Sequence, residues 1–210
     1  MKELEYYFKV KGYNPIVNDS SITITVKNKK YTYNYSEVPT TTDGDIYLKN
    51  NNYYLFSNGK EQKVLFWADR FEECEIKGRI NLLKALPNVE WTFSKGKYDC
   101  YDATMIGKNG LNLVDIKNRN ISMDTYDSAQ FELGKLKNMI SKQKELKANQ
   151  LIFIAHYNDG YSVCWNLNKY VNNPVVVYMS PYQTVSNNTL VEKNMILLPI
   201  NEGLKIKREC

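Results

Sequence analysis

The sequence has few residues of the types that mark several common functional sites. Among its 210 residues there is a single histidine, His156, which nearly excludes histidine-dependent catalytic triads and metal sites rich in histidine. No two of its cysteines have the spacing of zinc ligands, which argues against a structural zinc site. They are widely separated in the chain: Cys74, Cys100, Cys164 and Cys210.

Long apolar runs are also missing. No stretch approaches the roughly 20 apolar residues that a membrane-spanning helix needs. The first residues, MKELEYYFKVKG, contain no apolar run of the signal-peptide kind. We therefore expect a soluble cytoplasmic protein with reduced thiols and no membrane partner.

The composition is that of a mildly basic globular protein. There are 28 basic and 23 acidic residues, a net charge of +5, which permits a nucleic-acid partner without requiring one. The 17 tyrosines fit the surface of β-sheets. The length suits one domain with a small extension, and we predict a β-rich N-terminal region at residues 1–66 and a core domain at residues 67–210.

The N-terminal region carries two predicted hairpins. Alternating apolar and polar residues predict strands at 22–26 and 31–35, and a second pair at 46–48 and 53–56. None of these strands has a catalytic signature. Two interpretations stay open for residues 1–66: an accessory platform that contacts nucleic acid, or a β extension packed on the core.

The core region alternates predicted helices and strands. An apolar stripe at helical spacing predicts a helix over 68–86, which Pro87 ends. A strand at 89–94, a hairpin and a second helix over 128–146 follow, and the chain continues with strands at 151–155, 161–167, 175–179 and 195–199. We expect the basic tail from residue 204 to be disordered. This order favours an α/β (α+β) fold with a mixed sheet flanked by helices.

The hairpin within residues 98–120 contains the most informative pattern. Asn109-Gly110 is typical of a two-residue hairpin turn, since both residues tolerate a positive φ. The second strand, residues 111–117, begins apolar and ends in Asp115-Ile116-Lys117. Because side chains alternate across a strand, Asp115 and Lys117 share one face.

The turn selects a second carboxylate for that face. With Asn109-Gly110 at the corners, Thr104 pairs with Asp115 and Asp102 pairs with Lys117. Any loop with an even number of residues keeps Asp102 on the Asp115 face, whereas an odd loop places Asp99 there. Asp102 is therefore the first choice and Asp99 the second.

Two carboxylates and a lysine on one sheet face suit metal-assisted hydrolysis of a phosphodiester. The carboxylates supply oxygen ligands for Mg²⁺, with Mn²⁺ as a substitute. The cation neutralises phosphate charge and lowers the pKa of a bound water. The lysine orients or deprotonates that water and stabilises the developing negative charge.

The pattern of Asp102, twelve intervening residues and Asp115-Ile116-Lys117 resembles the PD-(D/E)XK nuclease superfamily. The residue before Asp102 is Tyr101 rather than proline, and the resemblance covers about residues 68–167. It implies a restriction-endonuclease-like or Holliday-junction-resolvase-like αβββαβ core. In that family a glutamate of the first core helix often completes the metal site. Glu73 is the candidate here, with Glu72 and Glu75 as alternatives.

Basic residues around the motif are candidates for contacts with nucleic acid. Arg119 lies on the motif face if the strand continues that far, and Lys135 belongs to a lysine-rich face of the second helix. The leading hypothesis is a Mg²⁺-dependent nuclease, with DNA as the first-choice substrate. The alternatives are a catalytically inactive nucleic-acid-binding protein and a β-rich interaction protein. The sequence leaves open DNA or RNA, endo- or exonuclease action, and a homodimer.

Overall fold

The computed structural model describes residues 1–50, 52–64, 70–94, 99–183 and 187–208. The chain forms two compact units, Met1–Ile76 and Lys77–Cys210. The domain boundary that we placed between residues 66 and 67 lies outside the described residues, and that division stays a prediction.

The first unit contains one short helix and a six-stranded sheet. Helix α1 spans Lys2–Val10, and its inward residues Leu4, Tyr7 and Phe8 follow helical spacing. The sheet runs in chain order and is antiparallel except between β3 and β4. Its strands are β1 Ile16–Asn18, β2 Ser21–Val26, β3 Lys29–Ser36, β4 Ile46–Lys49, β5 Asn52–Ser57 and β6 Lys60–Lys63.

Both predicted N-terminal hairpins are present. In the first, Lys27 and Asn28 form the turn with positive φ angles of 46° and 65°. A two-residue turn with this backbone matches the twist of the strands that it joins. The helix at the start of the chain was not predicted, and it lies in the region that we expected to be β-rich.

The second unit contains two sheets and most of two helices. Helix α2 spans Arg70–Ala85 and crosses from the first unit into the second, and α3 spans Leu133–Leu146. The strands are β7 Trp91–Phe93, β8 Ala103–Gly107, β9 Gly110–Arg119, β10 Ser128–Glu132, β11 Gln150–Tyr157, β12 Tyr161–Asn166, β13 Val175–Gln183, β14 Asn187–Pro199 and β15 Leu204–Lys207.

The larger sheet of the second unit is mixed. Its six strands have the order β15-β12-β11-β9-β8-β7. β9 and β11 are parallel neighbours at its centre, and the other pairs are antiparallel. The parallel pair needs a crossover, which β10 and α3 supply. The predicted fold class, a mixed sheet with helices around it, is confirmed.

The two faces of this sheet have separate cores. On one face, Leu82 of α2 is buried with Ala103, Val114 and Ile154. On the other face, the sheet packs against α3 and against a smaller sheet of β10, β14 and β13. Buried there are Leu113, Phe131, Leu136, Met139, Phe153 and Trp165. We call these the α2 face and the α3 face.

The start of the second predicted helix was wrong. Residues 128–132 form β10, which pairs with β14, and the helix begins only at Leu133. Ala129 and Phe131 are buried, whereas Gln130 is half-buried and Glu132, the last residue of β10, is exposed. The tertiary partner β14 makes this alternation a strand, which a short segment read alone does not reveal.

The expectation of a disordered tail was also wrong for residues 204–207. Leu204–Lys207 forms β15, which pairs with β12 at the edge of the large sheet. Arg208 then donates from Nη1 to the hydroxyl of Ser162, 3.2 Å away. The strand partner and this contact hold a segment whose composition alone is that of a solvated tail.

The motif hairpin has the predicted shape with a different register. Gly107 pairs with Gly110, so the turn residues are Lys108 and Asn109 rather than Asn109 and Gly110. The positive φ, 112°, falls on Gly110, which adopts it without steric cost. The register is displaced by two residues from the predicted one, and Thr104 pairs with Leu113 rather than Asp115. An even displacement leaves every side chain on its predicted face.

Candidate active site

Asp115 lies on β9 at the centre of the large sheet. Alternation along the strand directs its side chain to the α3 face, and the residue is only 2% exposed. A buried carboxylate requires a partner. Lys135, in the first turn of α3, forms an ion pair and hydrogen bond with Asp115 Oδ1. This ion pair joins the helix to the sheet at the site.

Asp102 lies beside Asp115 on the neighbouring strand. Its backbone N–H donates to Val114 O at 2.8 Å, which extends the β8–β9 ladder by one residue. Its Oδ2 accepts from the backbone N–H of Ile116 at 2.6 Å. The two carboxyl groups lie on the same face of neighbouring strands and interact electrostatically. The hairpin therefore brings together two carboxyl groups that are far from each other in the sequence.

Burial governs the titration of Asp115. Desolvation raises its pKa to about 7, Lys135 opposes the rise, and Asp102 adds to it. A carboxyl group with such a pKa exchanges its proton near neutral pH. Two neighbouring carboxyl groups, one of which resists ionisation, form an arrangement that a bound cation would stabilise.

Lys117 lies on the same face, two residues further along β9. Burial of its ammonium lowers its pKa, and Asp115 opposes the decrease. The residue as a whole is nevertheless exposed. Because the residue is exposed, we give the burial of its ammonium less weight than its position beside Asp115. Within the described residues, no hydrogen bond or ion pair occupies this ammonium.

Lys135 was predicted to contact nucleic acid, which stays a prediction, and the structure shows that its ammonium forms an ion pair with Asp115. Burial acts to lower its pKa, but Asp115 and Asp102 outweigh burial and raise it. The displaced helix start explains the difference, because residue 135 falls in the first turn of α3. A lysine there opposes the helix dipole, so its position in itself indicates a specific anionic partner.

Arg119 ends β9 on the Asp115 face. It is half-buried, and its Nη2 donates to Gln130 O at 3.0 Å. Burial lowers the pKa of its guanidinium, which also interacts with Tyr157 and Asp115. Arg119 therefore extends the row of charged residues along the strand.

The remaining candidates are placed as follows. Asp99 is exposed and accepts a hydrogen bond from Ser94 Oγ. Glu73 is half-buried in α2, within the first unit, and its part in a metal site stays a prediction. Glu72 forms an ion pair with Lys11, and Glu75 is exposed. Across the described residues, no three side chains of His, Cys, Asp or Glu converge.

The donor set at Asp102 and Asp115 fits a hard divalent cation. Mg²⁺ is commonly held by one or two carboxylates and completes its shell with water and substrate oxygens. Oxygen donors without thiolate or imidazole also exclude a preference for zinc. The fit requires an ionised Asp115 and a Lys135 ammonium that shares this carboxylate with the cation.

Sequence reasoning missed a cavity next to this row of residues. It has a volume of about 350 Å³, and Arg119 is part of its wall. Most of its wall comes from the loop after β9, from β10 and from β13, segments without a recognisable motif. The lining residues are Arg119, Ile121, Met123, Tyr126, Ser128, Ala129, Gln130, Tyr157 and Tyr178.

Membrane insertion through a helix finds no support in the part of the chain that is described. None of its helices combines the length and the apolar character needed to cross a bilayer.

Comparison with known proteins finds similarity at the level of three-dimensional structure, not of sequence. No protein-family model matches the chain, and no curated protein matches it. Among solved structures, a Holliday junction resolvase from the archaeal hyperthermophile Archaeoglobus fulgidus is similar, with a TM-score of 0.39 and 10% sequence identity. The match covers 59% of this chain and 92% of the resolvase.

Proposed function

We propose that the protein is a metal-dependent nuclease that hydrolyses phosphodiester bonds, with DNA as its first-choice substrate and Mg²⁺ as its cation. The observation that carries the proposal is the pairing of the Asp102 and Asp115 carboxyl groups, with the exposed residue Lys117 next to them on the same face. A net charge of +5 suits a polyanionic substrate.

Each residue of this cluster has a distinct part in the proposed reaction. Asp115 and Asp102 would hold the cation, which supplies Lewis-acid activation of a water and of the phosphate. Lys117 would orient the attacking water and stabilise the negative charge that develops on the phosphate oxygens. Its lowered pKa makes transfer of a proton to and from its amine easier at working pH.

Lys135 would act as a positioning residue. Its ammonium lowers the pKa of Asp115 against the effect of burial, and so keeps a larger fraction of that carboxyl group ionised. Ionised carboxylates are the form that binds a divalent cation. The ion pair also holds the Asp115 carboxylate of β9 against the first turn of α3.

A second function is favoured by the same ion pair: nucleic-acid binding without hydrolysis. Lys135 already supplies Asp115 with a positive partner, as a bound cation would. No third carboxylate joins Asp102 and Asp115 among the described residues. A protein of this kind would bind nucleic acid through Lys117 and Arg119, and a divalent cation would not change its affinity.

The decisive experiment is a cleavage assay on single-stranded, duplex and branched DNA and on RNA. Each substrate is incubated with Mg²⁺, with Mn²⁺ or with a chelator, and binding is measured in parallel. Chelator-sensitive cleavage that Asp115→Asn abolishes supports the nuclease. Binding without cleavage in either cation supports the second function, and the absence of both binding and cleavage rejects both. Size-exclusion chromatography with light scattering on the same sample tests whether the protein is a homodimer.

A further inference from the structure

The cavity next to the charged row carries an inference about the substrate. We propose that it holds one nucleotide displaced from the stack of a nucleic-acid strand, with its base between tyrosines and its phosphate at Arg119. The inference rests on the proposed nucleic-acid substrate and deepens it. It predicts preference for strands with an unpaired nucleotide near the cleaved bond.

The cavity continues the face that carries the carboxyl groups. Arg119 lies four residues beyond Asp115 on β9, which at strand rise is about 13 Å, and Lys117 lies between them. All three side chains project to the α3 face, so a strand held at Asp115 can continue past Lys117 into the cavity. Lys117 and Arg119 would supply positive charge at two points along the phosphate backbone of that strand.

The lining has the chemistry that recognises a base. Tyr126 is 66% exposed and Tyr178 is 38% exposed, and both contribute to the cavity wall. Exposed aromatic rings stack on bases irrespective of sequence, and unstacked nucleotides are held in this way by many proteins. Ile121 and Met123 add apolar surface.

Arg119 supplies the positive charge at the cavity. Its one hydrogen bond within the described residues goes from Nη2 to Gln130 O, and a guanidinium has five N–H donors. The remaining donors can form a paired contact with phosphate oxygens. A volume of about 350 Å³ lies at the lower end of the range for small-ligand sites, as a single nucleotide requires.

The wall of the cavity is preorganised rather than loose. The loop after β9 is held by Asp159, whose Oδ2 accepts from the Met123 N–H at 2.8 Å. The N–H of Asn158 donates to Ile121 O at 3.1 Å, and Asp127 O accepts from the Ile200 N–H at 2.8 Å. These contacts anchor both ends of the segment that carries Tyr126, which lowers the cost of ordering it around a ligand.

The test measures binding in the Asp115→Asn background, so that cleavage does not interfere. The probes are a labelled duplex, the same duplex with one extrahelical nucleotide, and the single strand, each compared by fluorescence anisotropy at fixed salt. Tyr126→Ala should weaken binding of the extrahelical and single-stranded probes by about 5- to 100-fold, the range for loss of one base stack. Affinity for the plain duplex should not change.

Matched variants sharpen this result. Tyr126→Phe keeps the ring and should restore the affinity, and Tyr31→Ala removes an exposed tyrosine of the first unit and should have no effect. Arg119→Gln should weaken binding of the same two probes and reduce its salt dependence, because one phosphate contact is lost. Circular dichroism establishes that each variant is folded.

Three results would overturn the inference. Tyr126→Ala could leave the affinities for all three probes unchanged or lower them equally. If wild-type cleavage still depended on Asp115, the proposed nuclease would be supported and the nucleotide site in the cavity would be rejected. Free deoxyadenosine monophosphate could bind while no oligonucleotide does, which would make the cavity a mononucleotide site. If the wild-type protein bound none of the probes, that result would contradict the proposed nuclease function as well.

Discussion

The two faces of the large sheet differ in the polar groups that they bury. On the α2 face, His156 is 2% exposed and its Nδ1 is 2.7 Å from the Ser162 hydroxyl. Burial lowers the pKa of His156 to about 3, which keeps the ring neutral at pH 7. Also on this face, Asn81 Nδ2 donates to Asn118 Oδ1 at 3.0 Å. The cations of this face, Arg79 and Arg208, donate to the Ser94 carbonyl and to the Ser162 hydroxyl.

The α3 face gathers charge instead. Asp102, Asp115, Lys117, Lys135 and Arg119 all interact there, and burial shifts the pKa values of Asp115, Lys117 and Arg119 toward their neutral forms. Charges are seldom concentrated and partly desolvated for the sake of stability, since burial costs them solvation. The contrast supports the proposal that the catalytic site lies on the α3 face.

The largest expected effect comes from removing the charge of the most buried acid. Asp115→Asn should reduce cleavage at least about 1,000-fold, because the cation and its activated water are lost together. The measurement is single-turnover cleavage with saturating Mg²⁺. Asp124→Asn, at an exposed carboxylate, is the control and should cleave at the wild-type rate. Full activity in folded Asp115→Asn would show that the α3 face does not contain the catalytic site.

Lys117→Ala should lower turnover about 100- to 1,000-fold, the usual cost of losing one charge-stabilising group. Cation affinity should remain close to that of the wild type, since Lys117 acts on water and phosphate. Isothermal titration with Mn²⁺ and cleavage kinetics separate the two effects. Loss of cation binding with unchanged turnover at saturation would mean that the lysine has a different part.

Asp102→Asn should lower cleavage by at least about tenfold, whereas Asp99→Asn should change it less than twofold. The register explains the difference, because Asp102 lies beside Asp115 and Asp99 contacts Ser94. Each variant removes one carboxylate, and the two positions are three residues apart, so the variants form a matched pair. The reverse order of effects would refute the assignment of Asp102 to the α3 face.

The acid limb of the pH profile provides a smaller and more specific test. Cation binding requires an ionised Asp115, so cleavage should rise with pH through about 7, the pKa of that group. Lys135→Met removes the ammonium that lowers the pKa of Asp115, so the acid limb of the pH profile should move to higher pH. Rates are measured from pH 5.5 to 9 in the wild type and the variant. A limb that stays in place would show that Lys135 does not control Asp115.

The smallest expected effect on cleavage comes from the α2 face. Ser162→Ala removes a hydroxyl that contacts both His156 and Arg208, and it should lower the free energy of unfolding by about 1–3 kcal/mol. The rate of cleavage by the folded protein should not change. Chemical denaturation and single-turnover kinetics on the same sample check both expectations. A loss of cleavage comparable to that of Lys117→Ala would remove the distinction between the two faces.

The amino-acid sequence by itself determined the pattern of this protein. Apolar periodicity predicted the helix at Arg70–Ala85, the strands around the motif and the mixed α/β class. Alternation along β9 placed Asp115, Lys117 and Arg119 on one face, and an even hairpin loop selected Asp102 over Asp99. These inferences succeeded because they depend on local geometry, which repeats every two residues in a strand and every 3.6 in a helix.

Only the tertiary structure decided which groups face the carboxylates. The register shift at Gly107 and Gly110 brought Asp102 beside Asp115 rather than Lys117. Because residues 128–132 pair with β14, α3 begins only at Leu133, and Lys135 in its first turn forms an ion pair with Asp115. The cavity at Arg119 is closed by β10, β13 and the loop after β9. The register depends on which residues form the turn between Gly107 and Gly110. The helix start and the cavity depend on contacts between residues distant in the chain, whose energies outweigh local preference and leave no periodic signal in the sequence.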